Sequence, residues 1–257
     1  MAKLSNLLNL IQNENMKIYR RPRTWIMAAL LLAAVLTFGI MMRNYGGSGV
    51  DAVLFMSNAS SMMFLVFIFS VVIASDIVAG EFTWGTIKLL LIRPVSRSKV
   101  LLSKYIAVLL FMLALVALLF VCSFLIGVLL FGTASSENPI VFGDILRDYG
   151  FQLIELTVNV TFAFMISTVF RSSALAISLA FVIMFASSSV MAILIGLKYG
   201  WAKYILFANT NLGLYFGGRE PPIEGMTLGF SVTMLLIYYI VFLALSWYIF
   251  SKRDVAG

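Results

Sequence analysis

Six long apolar runs constrain this chain more than any other feature of its sequence. A helix needs about 20 consecutive apolar residues to cross the hydrocarbon core of a bilayer. Only 11% of the residues are charged, whereas a soluble domain carries about 25%. The sequence therefore predicts one all-α membrane domain over residues 1–257. We place the six spans at about 25–42, 53–77, 105–131, 151–170, 174–197 and 228–250.

The composition also limits the chemistry that the chain can carry. There is no histidine, and Cys122 is the single cysteine, so zinc sites of the HExxH type, histidine acid–base catalysis and an intramolecular disulfide are excluded. We expect no catalytic, cofactor-binding or metal-binding residue. The net charge of +7 fits the positive-inside rule and anionic lipid headgroups better than a nucleic acid.

Residues 1–23 predict an amphipathic helix ahead of the first span. Its polar residues fall on one side at 100° per residue, and its apolar residues fall on the other. The apolar face comprises Leu4, Leu7, Leu8, Ile11 and Ile18. Such a helix lies in the membrane interface with its apolar face down. The alternative is a solvated leader that only supplies positive charge.

The distribution of lysine and arginine predicts the orientation. With the N-terminus inside, the inner segments hold thirteen of these residues and the outer segments hold five. Cytoplasmic loops carry the excess of positive charge. We therefore expect both termini in the cytoplasm. Three of the five outer charges lie in the last outer segment, Lys198–Thr227.

The loop between the second and third spans contains an acid within a mostly apolar stretch. On a helical wheel Glu81, Gly85 and Lys88 form one narrow polar stripe. This pattern predicts a helix that lies against the membrane and shows its charged stripe to the cytoplasm. Ser96 is then expected to cap the next helix, and Lys104 to anchor the third span at the headgroups.

The same loop resembles a known family. The segment GTIKLLLIRPVSRSKVLLSKY, Gly85–Tyr105, follows an acidic residue, two spans and an amphipathic N-terminal helix. This order is similar to the type-2 ABC permeases, which include small bacterial exporters of sodium, drugs and antimicrobial peptides. The short Phe170–Ala174 turn and the aromatic segment before the last span also fit. The basic character of that segment departs from the pattern.

The resemblance implies a set of roles and partners. The Gly80–Arg97 region would be a cytoplasmic coupling helix that docks on a separate ABC ATPase subunit, which binds ATP and Mg²⁺. The N-terminal helix would touch the same ATPase, and Lys198–Thr227 would form an outer re-entrant hairpin. A second permease copy or a related chain would complete the pathway in the bacterial cell membrane. The coupling residues would be Glu81, Gly85, Lys88, Arg93 and Arg97. The alternative is an ordinary cytoplasmic loop whose basic residues follow from the positive-inside rule.

Two carboxylates and a group of serines are further candidates. Asp76 and Glu155 fall within or beside predicted spans, where burial of a charge is costly and often functional. Both lie near predicted span ends, so each could instead reach water. Small residues let helices approach closely in lipid. Ser187, Ser188 and Ser189 are therefore candidates for a pathway lining or dimer seam, with packing inside one chain as the alternative.

Two classes of function remain open from the sequence. The first is the permease subunit of an ATP-driven exporter. The chain contains no GxxxxGK[ST] motif, so this function would need a partner that hydrolyses ATP. The second is a membrane immunity or assembly factor that sequesters a peptide or lipid without pumping. An intramembrane enzyme is disfavoured, since histidine is absent and Asp76 has no second aspartate to pair with inside a span.

Overall fold

The computed structural model describes nearly the whole chain as helix and short turns. The described residues are 2–46, 49–86, 95–132, 141–216 and 221–252, with side chains described from residue 7 onward. The helices are α1 Ala2–Tyr19, α2 Pro22–Tyr45, α3 Ala52–Ala59, α4 Met63–Asp76, α5 Ala79–Thr83, α6 Arg97–Phe131, α7 Phe142–Val169, α8 Ser173–Gly196 and α9 Leu228–Lys252. Within these ranges no strand is present.

Six helical segments are long and apolar enough to cross a membrane, which confirms the predicted fold class. They are α2, the α3–α4 pair, α6, α7, α8 and α9. The second span is not one continuous helix, because a 3₁₀ turn at Ser60–Met62 separates α3 from α4. The predicted coupling helix is not confirmed: α5 ends at Thr83, and residues 87–94 lie outside the described residues.

Two helices begin well before their predicted spans. Helix α6 starts at Arg97 and α7 starts at Phe142, whereas the apolar runs begin near residues 105 and 151. Hydropathy marks only the part of a helix that meets lipid, and both helices extend into polar surroundings. The extension of α7 is capped where the Val141 N–H donates to Asp144 Oδ2 at 3.2 Å. Ser96 stands at the N-cap of α6 as predicted, but its side chain makes no capping hydrogen bond.

The bundle is arranged around two central helices, α4 and α6. Helix α4 packs against α6, α7 and α8, and α9 packs on α7. Helices α1, α2 and α3 pack along α6, which is the longest helix described. The end of the bundle that carries α1, the start of α2, the end of α4 and the starts of α6 and α8 is called the α1 face below. The other end is called the opposite face.

Helix α1 packs on α6 with one side, which bears both apolar residues and a carboxylate. Ile18 and Glu14 are buried, Leu7 and Ile11 are half-buried, and Leu8 is exposed. The side chain of Leu4 is outside the described residues. Leu8 lies outside this contact, and the predicted placement of the apolar face in the membrane interface stays a prediction. The sequence did not assign Glu14 to either face.

Candidate functional site at the α1 face

Four charged side chains form a closed ring of ion pairs at the α1 face. Lys17 Nζ lies 2.8 Å from Glu14 Oε1 and 2.8 Å from Glu81 Oε1. Lys104 Nζ lies 2.8 Å from Glu14 Oε2 and 2.9 Å from Glu81 Oε1. We call this set the four-charge cluster. It joins α1, α5 and α6, which are far apart in the sequence.

Lys104 is the most deeply buried member of the cluster, and its charge requires partners. Its side chain is 1% exposed, so an unpaired ammonium would be strongly disfavoured there. Two carboxylates around two ammonium groups leave the cluster neutral. Removing one partner of a buried ion pair typically destabilises a protein by about 3–5 kcal/mol. The expectation that Lys104 anchors the span at the headgroups is therefore wrong, because its charge is used inside the protein.

The electrostatics of the cluster hold Glu81 in its ionised form. Burial alone would raise the pKa of Glu81, but the ammonium of Lys104 and hydrogen bonds from Lys17 and Thr86 lower it to about 2. Burial lowers the pKa of Lys17, whereas Glu14 and Glu81 raise it, with a net rise above 10.5. Each shift favours the charged form, so the ion pairs persist at neutral pH.

A second cluster lies beside the first and joins three other helices. Arg21 Nη1 donates to Asp76 Oδ2 at 2.8 Å, and Arg23 Nη2 donates to the same oxygen. The Ser173 hydroxyl donates to Asp76 Oδ1. We call this set the Asp76 cluster, after the last residue of α4. The Arg residues flank the start of α2, and Ser173 begins α8, so three spans meet at one carboxylate.

The short helix α5 is fixed by hydrogen bonds from the other side as well. The Val78 and Ala79 N–H groups donate to Ser167 Oγ at 3.1 and 3.0 Å, which satisfies free donors at the helix start. The Ser173 N–H donates to Thr83 Oγ1 at 3.0 Å. Helix α5 is therefore tied to α7 and α8 in addition to the four-charge cluster.

Close packing around α5 explains one glycine. A Cβ atom at Gly80 would lie 2.8 Å from Asp76 Oδ1, a distance that real Cβ contacts do not show. Only glycine lets the backbone of α5 approach the Asp76 carboxylate this closely. Gly85 differs, because its φ of +67° lies in the left-handed region where glycine is favoured. A continuous helix from Glu81 through Lys88 is therefore wrong at Gly85.

The predicted coupling residues do not all come together. Glu81 is half-buried and paired inside the chain, so the prediction that it shows its charge to the cytoplasm is wrong. Arg97 begins α6, and its Nη1 donates to the Ser251 carbonyl of α9 at 3.1 Å, away from Glu81. Lys88 and Arg93 lie outside the described residues. The exposed residue next to Gly85 is Trp84, with 75% of its surface accessible.

The two candidate carboxylates have different surroundings. Asp76 ends α4 and is buried in its cluster, so the alternative that it simply reaches water is wrong. Glu155 lies near the middle of α7 rather than at its end, and it is half-buried. Glu155 and Gln152 line two cavities of about 350 and 210 Å³. Glu155 does not contact either charged cluster.

The three serines of α8 lie on its outer surface. Ser188 and Ser189 are exposed and Ser187 is half-buried. The hydroxyls of Ser187 and Ser188 donate to the carbonyls of Met184 and Phe185, at 2.6 and 3.0 Å. These polar groups are therefore satisfied within the helix itself. Packing within one chain does not account for the two exposed serines.

Several residues of the site were absent from the sequence predictions. Glu14, Ser167 and Ser173 were not singled out, and Lys104 was assigned a different role. A signal for Glu14 was present, because it lies three residues after Ile11 and four before Ile18, on the apolar side of α1. No sequence signal connects Ser167 with α5. Among the described residues no group of histidine, cysteine, aspartate and glutamate side chains could hold a metal ion.

The six apolar helices and the ion clusters at their ends define a multi-pass membrane protein. By sequence comparison the chain belongs to the family described as "Protein of unknown function (DUF2705)", which matches residues 17–256. It is 33% identical over 315 residues to the "Uncharacterized protein YhcI" of Bacillus subtilis (strain 168), covering 98% of this chain and 100% of that protein. It is 34% identical over 246 residues to the "Uncharacterized membrane protein YdbK" of the same organism, covering 93% and 99%.

Proposed function

We propose that this chain is the membrane-spanning permease subunit of an ATP-driven ABC exporter, with ATP and Mg²⁺ bound by a separate ATPase subunit. The observation that carries the proposal is the attachment of α5. This five-residue helix is tied to α1 and α6 through ion pairs and to α7 and α8 through hydrogen bonds. A force applied at α5 would reach four other helices without any flexible link.

The mechanism follows from that attachment. Closure of the ATPase on ATP would push the segment that begins at α5, and the ion pairs would carry the displacement to α1 and α6. Interfaces between packed helices switch between discrete arrangements rather than deforming continuously. The bundle, as two copies or with a related chain, would then alternate between inward-open and outward-open states. No bond of the substrate reacts, so no catalytic residue is required.

In this proposal Glu81 is an internal connector rather than the residue that contacts the ATPase. Its three partners Lys17, Lys104 and Thr86 belong to this chain. The docking contact is assigned to Trp84, which is exposed three residues further along. Tryptophan is among the residues that contribute most to protein–protein interfaces when it becomes buried. Glu81 would then determine how well docking is converted into motion.

Trp84→Ala is the direct test of the docking assignment. We expect the variant to lose about 2 kcal/mol or more of ATPase binding, roughly thirtyfold in Kd. The measurement is co-purification from bacterial membranes, with the partner identified by its Walker motif and by ATP hydrolysis. The control is Trp201→Ala, because Trp201 is 55% exposed on the opposite face. Equal loss in both variants would contradict the assignment.

The same experiment separates the proposal from its alternative. A membrane immunity or assembly factor would purify without an ATPase and would retain a peptide or lipid without moving it. An exporter permease would purify with an ATPase whose hydrolysis drives movement of a substrate across sealed vesicles. Wild-type protein that never associates with an ATPase, in any detergent or nanodisc, would support the alternative.

The proposal also includes the orientation of the chain, with the α1 face and both termini in the cytoplasm. It rests on the thirteen inner and five outer basic residues. Reporter fusions at Gly47, Ser136 and Glu220 are expected outside, and fusions at Ser96 and Gly257 inside. An outside signal at Gly257 would contradict the six-span topology.

A further inference from the structure

The Asp76 cluster opens into a cavity that it shares with the four-charge cluster. The cavity has a volume of about 760 Å³, enough for a small ligand or a lipid headgroup. Its polar rim is formed by the two clusters. Its apolar wall is formed by Ile73 of α4, by Ile77, which follows α4, and by Ala174 and Ile177 of α8.

The charges around the cavity do not balance. The four-charge cluster is neutral, but in the Asp76 cluster the guanidinium groups of Arg21 and Arg23 share one carboxylate. One positive charge is therefore in excess. The Nε–H of Arg23 is buried and finds no hydrogen-bond acceptor among the described residues. The side chains of Arg21 and Arg23 are 44% and 35% exposed, so their excess positive charge favours an anion in this corner of the cavity.

The position of the cluster indicates which anion is available. Arg21 and Arg23 flank Pro22, the first residue of the first span, and Asp76 is the last residue of the second. Ser173 begins the fifth span. Where spans begin and end, the protein meets the headgroups of the bilayer. Phospholipid phosphates lie at this level, beside the apolar wall that would accept the start of an acyl chain.

We infer that this cavity binds the phosphate of an anionic phospholipid, held by the guanidinium groups of Arg21 and Arg23. Arginine presents a planar fork of N–H donors that matches phosphate oxygens. A lipid with a net charge of −1, such as phosphatidylglycerol, compensates the excess charge. Phosphatidylcholine does not compensate this charge, because the positive charge of its choline group neutralises the negative charge of its phosphate. The inference does not depend on the proposed transport function.

Lipid binding to the full-length protein tests the inference directly. Delipidated protein is titrated with phosphatidylglycerol, phosphatidylcholine or inorganic phosphate, and bound ligand is counted by native mass spectrometry. We expect phosphatidylglycerol to bind at least about tenfold more tightly than the other two ligands. Equal binding of the two lipids would overturn the inference. Binding of inorganic phosphate as tight as phosphatidylglycerol would assign the cavity to a soluble anion instead.

Substitutions with opposite expected signs separate a binding site from a folding defect. Arg21→Gln should weaken phosphatidylglycerol binding about tenfold or more, because one guanidinium is lost. Asp76→Asn should strengthen it, because both guanidinium groups then lack a carboxylate. Misfolding cannot produce this gain. Arg23→Lys, which keeps the charge and removes the planar fork of donors, should fall between wild type and Arg21→Gln.

The matched control is Arg147→Gln on the opposite face. Arg147 and Arg21 have similar exposed side chains, 43% and 44%, and each pairs with one aspartate. Phosphatidylglycerol binding should be unchanged in the control. Equal weakening in Arg147→Gln and Arg21→Gln, or weakening in Asp76→Asn, would overturn the inference.

Discussion

The two faces of the bundle are held together by different forces. At the α1 face, ion pairs connect helices that are distant in the sequence, as between Lys104 and Glu14. At the opposite face, hydrogen bonds between neutral groups connect segments that are apart in the sequence. Asn209 donates to the carbonyls of Lys203 and Ile205 and accepts from Ser231 at 2.8 Å. The described ion pair there is local, between Arg147 and Asp144, three residues apart.

This difference indicates how the two faces would behave if the chain moves. A buried ion pair must stay paired, since a lone buried charge is far more costly than a neutral group. The α1 face should therefore move as one unit. A neutral hydrogen bond contributes only about 0.5–1.5 kcal/mol, so the short turns of the opposite face can rearrange at low cost. Under the proposed function, the α1 face would receive the force and the opposite face would open.

Lys104→Met should give the largest loss of stability. The substitution leaves Glu14 and Glu81 with Lys17 alone, although their side chains are only 8% and 11% exposed. We expect a loss of about 3–5 kcal/mol in the free energy of unfolding. Denaturant-induced unfolding in mixed micelles measures it. Lys203→Met is the control, because the Lys203 ammonium lies over the rings of Tyr204 and Phe230 and forms no ion pair with a described residue. A loss below 1 kcal/mol would show that charge does not hold the α1 face.

Acid should weaken the α1 face through Glu81. The pKa of Glu81 in the folded protein is about 2, below its ordinary value of 4.5. The ionised form therefore contributes stability that is present above pH 4.5 and is lost as the pH falls towards 2. The difference corresponds to roughly 3 kcal/mol. Unfolding at a series of pH values measures it, and Glu81→Gln should flatten this dependence. An unchanged slope in Glu81→Gln would assign the acid sensitivity to another group.

Asn209→Ala should have a smaller effect, at the opposite face. Asn209 is fully buried, and its side chain satisfies two carbonyls and the Ser231 hydroxyl. Removing it leaves neutral groups without partners, at a cost of about 1–3 kcal/mol. The same unfolding experiment measures the loss, and Asn58→Ala, an exposed asparagine bonded to its own helix, is the control. A loss as large as that of Lys104→Met would remove the distinction between the two faces.

The fold could be read from hydropathy because lipid imposes one simple rule. Each span must be apolar over about 20 residues, and six such runs were recognisable. Hydropathy could not give the true ends of α6 and α7, because beyond the bilayer core a helix is stabilised by caps and contacts. It also could not give the 3₁₀ turn at Ser60–Met62, because two serines inside a long apolar run are compatible with a continuous helix.

The candidate site was only partly predictable, for a physical reason. Glu81 and Asp76 stood out because a carboxylate in an apolar stretch is unusual. Their partners did not, since a lysine at a span boundary has the same local pattern whether it faces lipid headgroups or a buried acid. Lys104 lies 23 residues from Glu81 and 90 from Glu14. Such pairings are decided by helix packing, which a single sequence does not encode locally.

Arg147→Gln should have the smallest effect. Arg147 lies 3.0 Å from Asp144 at the start of α7, and both side chains are more than two-fifths exposed. Water screens such a pair, and exposed ion pairs contribute about 0–1 kcal/mol. The guanidinium also lies 5.7 Å from the centre of the Phe216 ring, which adds about 0.5–1 kcal/mol at an exposed site. Because glutamine keeps much of the packing, we expect a loss below about 1 kcal/mol in the unfolding experiment. A loss near that of Lys104→Met would mean that local ion pairs hold the opposite face as firmly as buried pairs hold the α1 face, and the proposed division between a rigid and an adaptable end would then fail.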